Sequence, residues 1–158
     1  MSREDNIRVH ESLFEALRAG DWNRFIGTFP ADCQFNVFGQ TPLSGTFNDR
    51  DKFFANGAEE RATMLEPGGK FAIKSRILIA DDRYSVGLME TKAMGTNGVP
   101  YEPQYVIILG FKNGKIVEYW EYFDTAVLEA VIFDNHLQKP RRKVPNPIDI
   151  MSDPAVEQ

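Results

Sequence analysis

The chain has one cysteine, Cys33, in 158 residues, which excludes an internal disulfide framework and any multi-thiolate metal site. Its two histidines, His10 and His136, stand far apart and have no second ligand at metal-binding spacing, so no metal is expected. No apolar run approaches the roughly 20 residues that span a bilayer. Positive charge is scarce. Against 23 Asp and Glu there are 18 Lys and Arg, a net charge of −5, and the basic face that a nucleic acid needs is missing. Neither a glycine-rich phosphate loop nor a dinucleotide fingerprint occurs, so no cofactor is expected either. The opening MSREDNIRVH is charged and lacks the apolar stretch of a signal peptide. These absences lead to the expectation of a soluble, cytoplasmic protein without metal, cofactor, nucleic-acid or membrane partners.

What the sequence has in excess is aromatic. Twelve Phe residues and 12% aromatics overall point to an apolar cavity or a flat aromatic interface. The length suits one domain with one real hydrophobic core. From Leu137 onward the composition changes: four of the nine prolines and the basic run RRK (141–143) fall there. That stretch reads as an extended arm or flexible end. The expected division is therefore a domain over 1–136 and a proline-rich arm over 137–158.

Ser2 with Asp5 reads as a capping pair, and Ile7, His10, Phe14 and Leu17 then recur at helical spacing until Gly20. Asp21 caps a second, short helix whose stripe is Trp22, Phe25, Ile26 and Phe29, stopped by Pro30. Cys33–Phe38 is a strand, and a third helix runs from about Asp49 with Phe54, Ala58, Ala62 and Leu65 on one side. After EPGG (66–69) the period changes to two. Phe71, Ile73, Ile77 and Ile79 fit a strand whose hairpin partner is Arg83–Met94. GTNGVPYEP (95–103) is a loop, and Gln104–Phe111 is a strongly apolar strand. The Asn113-Gly114 pair predicts a type I′ turn into the next strand. Asp124 or Thr125 then caps a last short helix. Three helices with one early strand, followed by a four-stranded antiparallel meander, predict an α+β fold. In it a curved sheet closed by helices encloses a cone-shaped cavity.

The strand after that turn, IVEYWEYFDT (116–125), carries carboxylates on both faces. Strict alternation puts Val117, Tyr119, Glu121 and Phe123 on one side, and Glu118, Trp120, Tyr122 and Asp124 on the other. Glu121 is the one charge among apolar neighbours. A buried, unpaired carboxylate costs several kcal/mol or takes up a proton. Either Glu121 works as a general base or acid with a raised pKa, or it reaches solvent or an arginine near the strand end. Trp120 and Tyr122, on the opposite face, suit a sheet-to-sheet dimer.

Three ordered stretches resemble the nuclear transport factor 2-like superfamily, and within it the SnoaL-like polyketide cyclase and ketosteroid isomerase branches. They are FEALRAGDWNRFIGTF (14–29), GQTPLSGTFNDRDKFF (39–54) and YVIILGFKNGKIVEYWEYFDTAVL (105–128). The resemblance runs from about Ile7 to Ile132 and implies a cone-shaped, cystatin-like fold around an apolar pocket, often in a homodimer. It also implies that the acid/base carboxylate of the cyclases falls on Glu121. The isomerase's proton-shuttling Asp falls on Asn36, its helix-1 tyrosine near Leu13 and its second acid near Ile107, so its oxyanion-and-base set is absent. The fold hosts isomerases, cyclases, lyases and pure binding proteins, and does not select among them.

The candidate catalytic residues are Glu121 and His10. His10 can pair with a carboxylate or donate to a developing oxyanion, or can be a rim residue satisfied by a neighbour. Asn36, Gln104, Tyr105 and Tyr119 are candidate polar groups that orient a substrate, although strand register decides which of them face the pocket. Phe14, Trp22 and Phe54, with Phe25, Phe29 and Phe38, line or back the cavity, or are merely core. The favoured function is a cofactor-independent enzyme using acid/base proton transfer on a small hydrophobic, aromatic or polycyclic molecule. Isomerisation, cyclisation and elimination (a lyase or dehydratase) all fit. The alternative is a non-catalytic, dimeric module that binds such a molecule.

Overall fold

The computed structural model describes residues 2–136 and 148–151. Ser2 and Asp5 form the expected capping box at the start of α1 (Arg3–Ala19), and Gly20 ends the helix in the left-handed conformation at φ +68°. The apolar face of α1 lies on β3 (Lys70–Ala80) and β4 (Tyr84–Met94). Gly87 on β4 permits the close approach. A Cβ there would meet the Phe14 ring at 2.7 Å and His10 Cε1 at 2.8 Å. Asp21 caps α2 (Trp22–Gly27) by accepting from the Arg24 amide at 3.0 Å.

The third helix is not continuous, as its pattern had suggested. It divides into α3 (Arg50–Ala55) and α4 (Ala58–Met64), because Asn56 is extended and Gly57 has φ +65°. A Cβ on Gly57 would lie 2.2 Å from Leu43 Cδ2, so Leu43 occupies the space that a helical side chain would need. The apolar stripe alone could not register this break. Two short strands were also missed by the periodicity, β2 (Gly45–Phe47) and β5 (Pro100–Tyr101). Each is too short to show a period.

With β1 (Gln34–Val37), β6 (Gln104–Lys112) and β7 (Lys115–Phe123), the strands form one curled half-barrel sheet in the order β2-β1-β7-β6-β4-β3. β5 pairs with β4, and β1 runs parallel to β7 while the other pairings are antiparallel. The expected meander β3-β4-β6-β7 is present. At its β6–β7 turn Asn113 (φ 51°) and Gly114 (φ 77°) take the two left-handed positions of a type I′ turn. Asp124 accepts from the amides of Ala126 and Val127 and caps α5 (Thr125–Val131).

Bulges in β3 and β7 shape the sheet. In β3 the pairing skips between Lys70 and Lys74, and Ala72 adopts φ 49°. Arg18 fastens this bulge by donating to the Ala72 carbonyl at 2.9 Å and to Ser75 Oγ at 2.7 Å. In β7, Glu118 pairs with Gly110 while Ile116 pairs with Phe111, so Val117 is an extra residue. Strict alternation therefore fails at Val117, and Ile116 shares the buried core with Tyr119.

The outer face of the sheet carries Val86 and Leu88 of β4, Val106 and Ile108 of β6, and Trp120 and Tyr122 of β7, aligned by register. Most of the proline-rich arm, including RRK, lies outside the described residues. The part that is described returns to this face: the Ile148 carbonyl accepts from Gln104 Nε2 at 2.8 Å, and Ile150 is 5% exposed.

Candidate active site

The inner faces of β6 and β7 present Tyr105, Tyr119, Glu121 and Phe123 to a cavity of about 120 Å³. Helices close it: Trp22 and Phe25 from α2, Phe53 and Phe54 from α3, Arg61 from α4 and Leu128 from α5. Tyr101 of β5 completes the wall. An engineered apolar cavity of roughly 150 Å³ accommodates benzene. The space here is thus of single-ring size, and a polycyclic molecule requires the walls to move apart.

Glu121 stands directly across from Ile107 on β6, an apolar neighbour that can neither donate to it nor neutralise it. Tyr119 Oη donates to Glu121 Oε2 at 3.3 Å. Burial pushes the Glu121 carboxyl up to about 7, against the opposing pull of the Arg61 charge and the Tyr119 hydrogen bond. Among the described residues Glu121 makes no ion pair. The hydroxyls of Tyr101 and Tyr105 lie 2.7 Å apart, and burial raises both well above the ordinary tyrosine value. They remain protonated donors, one toward the other and one free to turn to a ligand oxygen. Arg61 Nη2 donates to the carbonyls of Asn56 at 3.0 Å and Phe54 at 3.4 Å, which fixes its guanidinium at the break between α3 and α4.

This arrangement has the parts that proton transfer needs. A carboxyl group poised near neutral pH can take or give a proton, and hydroxyls with a cation can stabilise a developing oxyanion. Among the described residues no group of three or more His, Cys, Asp and Glu side chains is placed to hold a metal ion. Cys33 is buried and its thiol is pushed up to about 12, mainly by burial, so it is a poor nucleophile.

Of the residues singled out from the sequence, Glu121, Tyr105, Tyr119, Trp22, Phe25 and Phe54 come together here. Trp22 is 47% exposed while lining the cavity, which places it at the mouth. The others lie elsewhere. His10 is fully buried under β4, with Nδ1 2.7 Å from Ser85 Oγ, and burial lowers its pKa to about 3. Phe14 packs on His10 in the core. Asn36 accepts from Thr46 Oγ1 at 2.9 Å and, with Phe38 and Trp120, borders a second, more open groove. Gln104 is one residue out of phase with Tyr105, so it faces outward and donates to Glu90 Oε1 at 3.2 Å. Phe38, 63% exposed, stacks on Tyr122 at 4.7 Å instead of lining the cavity.

Two polar groups of the cavity escaped the sequence reading. Tyr101 sits in a stretch read only as a loop, although its spacing four residues before Tyr105 was a usable signal. Arg61 lies on the same helical stripe as Phe54 and Leu65, where a single cation among apolar positions could have been flagged.

A curled sheet with helices closing its concave side over one largely apolar cavity defines the class: small α+β proteins built around a pocket. The chain has the nuclear transport factor 2-like fold of that class. It is similar to an NTF2-like protein from Burkholderia xenovorans at 19% identity, over 84% of this chain and 98% of that one, with a TM-score of 0.64. It is also similar to a candidate polyketide cyclase from Xanthomonas campestris pv. campestris at 13% identity, over 82% and 98% of the two chains, with a TM-score of 0.65. A third similar structure is TerC, co-crystallised with polyporic acid, at 17% identity over 82% and 98%, with a TM-score of 0.66. At these identities the likeness is one of fold. No protein-family model matches the chain, and no curated protein does. No helix of the described residues is long and apolar enough to cross a membrane.

Proposed function

We propose that the protein is a cofactor-independent enzyme that transfers a proton on a small, hydrophobic, ring-containing molecule. In this reading Glu121 removes a proton from a carbon beside a carbonyl, and the Tyr101–Tyr105 hydroxyl pair with Arg61 stabilises the oxyanion that forms. Isomerisation, cyclisation and elimination share that first step and diverge only in where the electron pair goes next. The observation that carries the reading is the placing of Glu121: an acid buried in an apolar cavity, hydrogen-bonded to Tyr119 and in no ion pair among the described residues. A carboxylate kept only for structure gains nothing from such surroundings. The similarity to a candidate polyketide cyclase adds support at the level of fold. The volume of about 120 Å³ favours single-ring compounds over polycyclic ones. His10, remote from the cavity, has no part in this mechanism. The aligned apolar outer face further supports a homodimer.

The test needs no knowledge of the final product. Single-ring aryl ketones are incubated with the protein in deuterium oxide, and deuterium incorporation at the carbon next to the carbonyl is followed by NMR. The wild-type protein is expected to accelerate exchange, and Glu121→Gln to reduce it at least a hundredfold, the usual contribution of a general base. Exchange that survives in a folded Glu121→Gln variant would refute the proposal.

A further inference from the structure

Among the described residues, the cavity is lined by two charged side chains, Arg61 from α4 and Glu121 from β7. They form no ion pair with each other, yet each lies within the electrostatic reach of the other. The remaining groups that face Glu121 are neutral: the hydroxyl of Tyr119 on its own strand, Ile107 across the ladder on β6, and the Tyr101–Tyr105 pair. The charge state of the cavity therefore depends on one proton. With Glu121 ionised, the positive and negative charges balance and a neutral molecule fits without further cost. With Glu121 protonated, the half-buried Arg61 guanidinium keeps its two carbonyl partners but faces no counter-charge in the cavity, and an entering anion supplies one.

We propose that Arg61 makes this cavity a site for a small, single-ring organic anion, a carboxylate or phenolate, and that Glu121 carries a proton in the resulting complex. The guanidinium is suited to the task because its hydrogen bonds to the Phe54 and Asn56 carbonyls hold it in place before a ligand arrives. The Tyr101–Tyr105 pair supplies the hydroxyl donor for the second oxygen, and the cavity of about 120 Å³ admits one ring. The proposal rests on reading this cavity as a ligand site, and does not depend on Glu121 acting in turnover. Its consequence is a pH-gated choice of ligand: anions enter as Glu121 gains its proton, and neutral molecules are favoured once the proton is lost.

The experiment is calorimetric titration of the full chain with benzoate and with benzamide, at about pH 6 and about pH 8, in buffers of different ionisation enthalpy. Since only the protonated fraction of Glu121 accepts the anion, benzoate should bind about tenfold more weakly at the higher pH, with uptake of nearly one proton there. Benzamide should show neither effect. Glu121→Gln should bind benzoate with equal affinity at both pH values and without proton uptake. Arg61→Ala, with its fold checked by circular dichroism, should lose benzoate at least tenfold while keeping benzamide. Should that variant not fold, the comparison between the wild-type protein and Glu121→Gln decides the matter. Benzoate affinity that is indifferent to pH, or no benzoate binding at millimolar concentration, overturns the proposal. Loss of the deuterium-exchange result alone removes the turnover role and leaves this ligand assignment standing. A folded Arg61→Ala that still prefers benzoate does the reverse.

Discussion

Replacing Glu121 with Gln should make the protein more stable at neutral and alkaline pH. In the unfolded chain the carboxyl has its ordinary value of 4.5, and burial in the folded protein raises it to about 7. The folded state thus holds this proton more tightly than the unfolded state does. The stabilisation it gains is fully present below pH 4.5 and is lost as pH rises through about 7. At about 1.4 kcal/mol per pH unit, the loss amounts to about 3–4 kcal/mol, a large share of the roughly 5–15 kcal/mol typical of a domain. Gln has the shape of the protonated side chain and never ionises, so its variant escapes this loss.

The assay is urea unfolding across a pH series, read as the difference between variant and wild type. That difference should be flat below pH 4.5, grow in favour of the variant as pH rises toward about 7, and level off above that value. Subtraction is needed because His10 works in the opposite sense. Its folded value, lowered to about 3 from 6.5, gives stability that is present above pH 6.5 and lost as pH falls toward 3. In the wild type the two slopes oppose each other between pH 4.5 and pH 6.5 and mask one another there. The opposite result would refute the reasoning. If Arg61 held Glu121 in a true ion pair, the carboxyl would be depressed, and the wild type would gain on the variant as pH rose through the acid range.

Two further outcomes test the scaffold around the site. Gly57→Ala should destabilise the protein by about 2 kcal/mol or more, because Ala is strained at positive φ and its Cβ would strike Leu43. An unchanged urea midpoint would show that the α3–α4 break does not depend on Gly57. The outer sheet face predicts a homodimer, so sedimentation equilibrium of the wild type should give twice the chain mass of 18.0 kDa. Val106→Glu, at the centre of that face, should give the single-chain mass, since a stable interface of about 800 Å² per partner does not tolerate an unpaired charge at its core. A monomeric wild type at micromolar concentration would refute this.

The fold was legible in the sequence wherever one signal governed a whole element. Helix α1 announced itself through its capping box, its stripe and its terminal glycine. The β6–β7 hairpin did so through Asn-Gly and an alternation that placed Tyr119 and Glu121 together on the cavity side. The same alternation assigned Trp120 and Tyr122 to the outer face, where they lie. What was lost is what a period cannot encode. The extra residue Val117 leaves local composition unchanged but reverses the phase of Ile116 relative to Tyr119. Gly57 interrupts a stripe that continues unbroken on both sides, and only the position of Leu43 explains why.

The site itself was legible by half, and the missing half is long-range. Glu121 stood out because a charge among apolar neighbours violates a local rule, and such violations collect where a side chain is used. Tyr101 and Arg61 violate nothing locally: a tyrosine in a loop and an arginine on a helix are both ordinary. Their meaning arises only when β5 pairs with β4, setting Tyr101 Oη against Tyr105, and when the α3–α4 break carries Arg61 to the cavity. His10 shows the converse error. On its helix it has the spacing of a pocket residue, but Gly87 lets α1 approach β4 so closely that the imidazole is sealed against Ser85. A charge out of place in its own element can be read from one sequence. A charge given its purpose by another element cannot, and Arg61 is of that second kind.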